Sequence, residues 1–183
     1  MTEARSRRVF FALWPDDEAV SHLSALAHDL TARGGGRVMR PASLHLTLAF
    51  VGSVTPTQVG QLEDIAAGVR ADAFDLSLDR LGFWPQRGIL WAGCRQTLAP
   101  LRRLTDSLAT ELRAAGFAID PRSAAQVPHI TLARRARCAS LPRLGAPIGW
   151  RASEFALVET HLHPSAASYK TVAGFPLHEA DAG

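Results

Sequence analysis

Two short stretches of this chain read alike, Ser43-Leu44-His45-Leu46-Thr47-Leu48-Ala49-Phe50 and Val127-Pro128-His129-Ile130-Thr131-Leu132-Ala133-Arg134. In both, apolar and polar positions alternate with period two, the pattern of a half-buried β-strand in which residues two apart share a face. The alternation predicts that Leu46, Leu48, Ile130 and Leu132 point into the core. His45 and Thr47, and likewise His129 and Thr131, then fall together on the opposite face.

The remaining pattern places elements around these two strands. Arg7 to Leu13 reads as a strand, preceded by residues 1–7 as a disordered tail that runs into it, and is stopped by Pro15. Asp16 is an N-cap for a helix whose apolar positions Ala19, Val20, Leu23, Ala27 and Leu30 keep helical spacing until Gly34-Gly35-Gly36. Thr55-Pro56-Thr57-Gln58 has the cap, the first-position proline and the Gln of a capping box, with Leu62, Ile65, Ala66 and Val69 as the buried stripe that follows. Phe74, Leu76 and Leu78 alternate with polar residues, and Gly88 to Cys94 reads as a strand after a Pro-Gln-Arg-Gly turn, so a hairpin joining these two is the simplest arrangement. Leu101, Leu104, Leu108 and Leu112 mark a strongly amphipathic helix closed by Gly116. Pro121 to Gln126 is expected to be a loop, Pro142 to Gly149 a mobile surface loop, and Phe155 to His163 and Tyr169 to Leu177 the last two strands. The order of elements indicates an α+β fold.

Length and composition narrow the setting. The 183 residues, 47% of them hydrophobic, suit one domain with its own core. Nineteen of the 20 basic residues are arginine, a bias that favours bidentate contacts to phosphate and that a GC-rich genome would also produce. Cys94 and Cys138 have no metal-ligand spacing and no disulfide framework, which fits a reducing cytoplasm. The apolar run after the basic residues 1–8 is too short for the core of a signal peptide, and no run reaches membrane-spanning length.

The chemistry is carried by the repeated motif. An imidazole beside a hydroxyl is a poor core element, because both bring polar atoms that need partners when buried. Two copies supply two groups that titrate near neutrality, one able to act as base and the other as acid, with Thr47 and Thr131 as hydroxyl donors between them. That set suits a bound phosphate and in-line displacement at phosphorus. Phe50 reads either as core or as a cleft wall on which a nucleobase stacks. The triple glycine lacks the Lys-Ser or Lys-Thr of a phosphate loop. His161 and His163 form an H-x-H pair without a third ligand nearby and read as surface histidines. His22, His28 and His178 suggest no role.

The His-Leu-Thr-Leu and His-Ile-Thr-Leu motifs, 84 positions apart, resemble the paired motifs of the 2H phosphoesterase superfamily, and within it the RNA 2′,3′-cyclic phosphodiesterases, also called 2′-5′ RNA ligases. Val9 to Leu13, Leu81 to Pro85, Ile89 to Gly93, Glu154 to Glu159 and Tyr169 to Leu177 resemble further blocks of that family. The resemblance implies a single bilobal domain over residues 1–183, with two similar lobes whose antiparallel sheets face a central water-filled cleft and whose helices lie outside. It implies hydrolysis of a terminal RNA 2′,3′-cyclic phosphate to a 2′-phosphomonoester, with reversible 2′-5′ ligation as the same chemistry backwards. His45 would be the proton donor and His129 the proton acceptor, Thr47, Thr131 and Arg134 would bind the phosphate, and no metal or other cofactor would be required. The expected partner is RNA with cyclic phosphate ends or a related nucleotide, with no membrane, and the expected state is a monomer. Arg134 has the strand parity of the back face if the strand runs straight, so its phosphate role rests on the resemblance. The chain departs from many relatives in carrying Arg37-Val38-Met39-Arg40-Pro41 where they place an aromatic residue before the first motif. Two alternatives share the same cleft: a module that binds RNA ends without turning them over, and a phosphodiesterase for a small nucleotide-derived substrate.

Overall fold

The structure is a computed structural model and describes residues 6–119, 127–138, 140–162 and 167–179. Its elements in chain order are β1 (Arg7–Leu13), α1 (Asp17–Gly34), β2 (Arg37–Val38), a 3-10 turn at Pro41–Ser43, β3 (Leu46–Val54), α2 (Pro56–Gly68), β4 (Phe74–Leu78), β5 (Arg80–Trp84), β6 (Ile89–Gly93), α3 (Ala99–Ala114), β7 (His129–Arg134), β8 (Ile148–Ala152), β9 (Glu154–Leu162) and β10 (Ala167–Pro176). Local chemistry sets the helix starts as the sequence predicts. The Asp16 carboxylate accepts the Ala19 N–H at 2.8 Å, and Thr55 and Gln58 complete a reciprocal capping box.

The main sheet is antiparallel and runs β10-β9-β1-β3-β7-β6-β5, with β2 added on β7. Its two halves correspond to the expected lobes, yet they are joined. At the seam β3 meets β7 through one residue pair, Leu46 opposite Ile130. Helices lace across it, because α1 packs on β2, β7 and β8 while α3 packs on β3 and α2. One face of the sheet and the helices share the main core, in which Phe11, Leu13, Leu23, Leu46, Leu62, Leu104, Leu108, Ile130 and Leu132 are buried. A large side chain so buried contributes roughly 1.5–3 kcal/mol. On the other face Phe10, Ala12, Ala156 and Val158 form a smaller cluster beneath Trp14, Phe50 and Tyr169. β1 is therefore apolar on both faces, which is why its sequence shows a continuous run.

Three expectations need correction. Arg7 belongs to β1, opposite Val54, and pairs with Glu159, so the tail does not extend to residue 7; residues 1–5 lie outside the described residues. The hairpin joins β5 to β6, whereas β4 leaves the main sheet to pair with β8. β8 in turn begins at Ile148, inside the stretch expected to be a loop, because Ile148, Trp150 and Ala152 bury one face against β4. The expected loop at 121–126 and His163 lie outside the described residues.

Candidate active site

The seam brings the two motifs together. His45, at the entry to β3, and His129, at the first position of β7, line one cleft of about 620 Å³ together with Thr47, Thr131, Phe50 and Arg134. Leu46, Leu48, Ile130 and Leu132 are buried behind them, as the alternation predicts.

The two imidazoles are held in the same way. Nδ1 of His45 is 2.8 Å from the Ser43 carbonyl, and Nδ1 of His129 is 2.8 Å from the Val127 carbonyl. A carbonyl only accepts, so each Nδ1 carries the proton and donates it, leaving Nε2 as the reactive nitrogen in both rings. Each ring is also boxed by aromatic edges. Phe10 and Tyr169 both lie 4.8 Å from the His45 ring and Trp14 lies 5.6 Å away, while Trp84 and Trp91 stand 4.7 Å and 5.9 Å from His129.

This enclosure governs the charge state. Burial pushes the His45 pKa down to about 4, with Arg134 and His129 adding repulsion and the Ser43 carbonyl acting in the opposite direction. Burial also lowers His129, again with a contribution from Arg134 and against the pull of the Val127 carbonyl. Both rings are neutral at pH 7, and an anion in the cleft would raise both pKa values.

Arg134 reaches the cleft despite its parity, and the register shows how. Leu90 lies opposite Ala133 and Trp91 opposite Thr131, so Leu132 is an extra residue in β7. The bulge turns both Leu132 and Ala133 inward and returns Arg134 to the cleft face. β3 does the same: Phe11 lies opposite Ala49 and Ala12 opposite Thr47, so Leu48 is extra and Phe50 emerges at the cleft. Phe50 stacks on Phe10 at 6.2 Å, with the Arg8 guanidinium 5.0 Å above its ring. It is thus both part of the small cluster and a wall of the cleft.

Sequence reasoning missed Trp14, Trp84, Trp91 and Tyr169 as neighbours of the histidines, and Met39, Arg87 and Arg102 as cleft-lining residues. Cross-strand register brings Trp91 opposite both Thr131 and Gly82, and a Cβ on Gly82 would overlap the Trp91 indole. Glycine at 82 is the space the indole occupies. His161 is near Glu159 rather than the cleft, with 3.6 Å between Nε2 and the carboxylate. Among the described residues no three His, Cys, Asp or Glu side chains are grouped to hold a metal ion.

Residues 13–91 match the model of the LigT-like phosphoesterases. The RNA 2′,3′-cyclic phosphodiesterase of Escherichia coli (strain K12) is 33% identical over 123 residues, which cover 67% of this chain and 69% of that protein. The chain belongs to the LigT-like phosphoesterase family. A second family member, the RNA 2′,3′-cyclic phosphodiesterase of Archaeoglobus fulgidus, is 28% identical over 69% of this chain and 72% of its own length. The crystal structure of E. coli LigT complexed with 3′-AMP superposes with a TM-score of 0.86 at 27% identity, covering 96% of this chain and all of that one. The LigT-like fold thus extends over the second motif as well as the first. No helix among the described residues is long and apolar enough to cross a membrane.

Proposed function

We propose that this protein opens terminal 2′,3′-cyclic phosphates on RNA, using His129 as base and His45 as acid. The observation that carries the reading is the pair of imidazoles, each held through Nδ1 by the carbonyl two residues earlier and each lining the same cleft beside a threonine. The named activity of the E. coli and A. fulgidus relatives supports the choice of substrate. A module that only bound RNA ends would hold phosphate more securely at neutral pH with Arg or Lys in place of the two histidines.

In the forward reaction Nε2 of His129 takes a proton from water, and the water oxygen bonds to phosphorus opposite the departing ribose oxygen. The P–O3′ bond breaks as Nε2–H of protonated His45 donates to O3′, leaving a 2′-phosphomonoester. Thr47 and Thr131 hydroxyls and the Arg134 guanidinium hold the non-bridging oxygens, and Phe50 offers a face to the base. Since burial disfavours the His45 cation, substrate binding has to help charge it: the phosphate monoanion supplies the compensating negative charge. With the 5′-hydroxyl of another strand in place of water, the same steps would open the cyclic phosphate into a 2′-5′ diester, the 3′ oxygen again leaving with the proton from His45.

The whole chain would act as one bilobal domain, monomeric and cytoplasmic. The free thiols of Cys94 and Cys138, and the presence of only Val127 and Leu162 as exposed large apolar residues among those described, support that setting.

The test is incubation of the purified protein with a short RNA ending in a 2′,3′-cyclic phosphate, with EDTA present, and chromatography of the product against authentic 2′- and 3′-nucleotides. The expected product is the 2′-phosphate. A predominant 3′-phosphate would reverse the acid and base assignments. Activity that chelation abolishes and added Mg²⁺ restores would remove the two-histidine mechanism.

A further inference from the structure

Phe10, Trp14 and Tyr169 enclose the His45 ring, and the three are not held alike. Phe10 stands on β1, which pairs with β9 on one side and β3 on the other, and Trp14 follows that strand directly. Tyr169 stands on β10, at the edge of the main sheet, which pairs with β9 alone among the described strands. Its ring lies 4.8 Å from His45 and 5.4 Å from Phe10, with the planes at 72° and 86°. An edge strand presents unpaired backbone groups on its free side, so what meets that side decides how firmly the strand is kept in place.

Arg40 supplies the missing partner. Its guanidinium donates to the carbonyl of Ala167, the first residue of β10, at 2.8 Å, and Tyr169 follows two residues later. The anchor is firm, because the N–H of neighbouring Met39 donates to the Leu132 carbonyl of β7 at 2.8 Å. The backbone of Arg40 also serves the same histidine: its carbonyl accepts the Ser43 N–H at 2.8 Å, and the Ser43 carbonyl accepts the His45 Nδ1–H at 2.8 Å. One residue thus reaches the ring by two routes, through the 3-10 turn to Nδ1 and through its side chain to the strand that carries Tyr169. Arg40, Ser43, Ala167 and Tyr169 further line one concavity of about 380 Å³. Tyr169 is therefore at once a neighbour of His45 and a wall of an open space.

We infer that Arg40 is a positioning residue: its bond to Ala167 holds the free edge of β10 so that the Tyr169 ring stays against His45 and keeps water from it. The inference rests on the proposed role of His45 and deepens it by naming what maintains that ring in its enclosed setting. A bond from a charged donor on an exposed side chain shifts a held-to-released balance by about 10-fold. Without it the phenol withdraws, solvent enters from the neighbouring concavity, and the penalty on the His45 cation falls. The charged and titratable groups facing His45 from β7 are Arg134 and His129, with Tyr169 on β10 and the Ser43 carbonyl at Nδ1. Arg40 carries a charge of its own, so the test has to separate charge from contact.

The experiment follows the ring protons of both histidines by NMR against pH in the full chain without substrate, so it is read whether or not turnover occurs. Arg40→Met keeps a long apolar stem and removes the donor, Arg40→Lys keeps a charged donor, and Tyr169→Leu removes the aromatic ring. The wild-type His45 titrates at about 4. Arg40→Met and Tyr169→Leu are each expected to raise it toward the ordinary value near 6.5, while Arg40→Lys stays close to the wild type. His129, which is flanked by Trp84 and Trp91 instead, should move far less in every variant and so reports that the fold is retained. The double variant Arg40→Met/Tyr169→Leu should titrate as Tyr169→Leu alone, because the arginine acts through the ring. A further rise in the double variant would mean that only the charge of Arg40 is felt, and would overturn the inference. So would an unchanged His45 titration in Arg40→Met, or an equal rise at both histidines. Turnover of a cyclic phosphate substrate is scored separately. One limb of the kcat/KM bell should move to higher pH in Arg40→Met, whereas absence of turnover in the wild type removes the proposed function and leaves the titrations to decide the role of Arg40.

Discussion

The depressed pKa of His45 makes folding stability depend on pH, and unfolding at lower pH measures that dependence. The unfolded chain binds a proton at this ring near pH 6.5, whereas the folded protein holds it neutral down to about 4. Between these values the unfolded state carries more protons, so folding stability falls as pH falls; it is fully present above about 6.5 and lost on descending through about 4. At 1.36 kcal/mol per unit, this shift corresponds to a loss of about 3 kcal/mol on going from neutrality to about pH 4. The comparison is wild type against His45→Gln, each unfolded in urea at several pH values from about 7.5 to about 4. A constant offset between them reports only the packing of the new side chain. The informative quantity is the change in that offset with pH, and His129, whose pKa is lowered too, largely cancels because both proteins retain it. The wild type is expected to lose about 3 kcal/mol more than the variant over this range. Parallel stability curves would refute the reasoning, showing that water reaches the ring well enough to charge it in the folded state.

Other outcomes follow from the same geometry. His45→Ala and His129→Ala should each lower kcat by about 10²- to 10⁴-fold with folding retained, and Thr47→Val or Thr131→Val by about 10- to 100-fold; normal turnover in the double histidine variant would place the site elsewhere. The log of kcat/KM should trace a bell with its maximum below about pH 6.5, because one ring must be charged and one neutral while both pKa values are lowered, and a flat profile between about pH 5 and 8 would contradict paired acid–base work. Gly82→Ala should destabilise the protein by about 1–3 kcal/mol and lower activity, since the new methyl drives the Trp91 indole out of its place beside His129; unchanged thermal unfolding and activity would show the indole is not needed there.

Much of this site was legible because the information was local. Period-two alternation fixed the faces of Leu46, Thr47, Ile130 and Thr131, and Asp16, Thr55 and Gln58 announced two helix starts by short-range hydrogen bonds. The two histidines were legible as a pair because the same tetrapeptide pattern occurs twice. What sequence could not reveal depends on pairing between distant segments. The separation of β4 from β5 is understood only once β8 is available as its partner, and β8 lies in a stretch whose Pro and Gly content reads as loop. The aromatic boxes depend on Trp84 and Trp91 reaching His129 across neighbouring strands, and on Tyr169 reaching His45 from β10. Arg134 was misleading for a different reason: parity counting assumes an unbroken ladder, and the extra Leu132 breaks it.

The matching bulges at Leu48 and Leu132 make the cleft asymmetric. A regular strand offers the cleft only every second residue, so each motif would have presented a histidine, a threonine and then the alanine at 49 or 133. The residue inserted after each threonine, Leu48 or Leu132, exchanges that alanine for the following side chain, which is aromatic in one half and cationic in the other. Up to that point the two motifs supply the same side chains, a histidine and a threonine each, although different aromatic residues surround the two rings. Phe50 and Arg134 make the two halves differ: an aromatic ring with the Arg8 guanidinium over it in one and a guanidinium on the strand itself in the other. If the proposed reaction runs in this cleft, its polarity would rest on two side chains that the backbone irregularity exposes rather than on the paired strands and histidines.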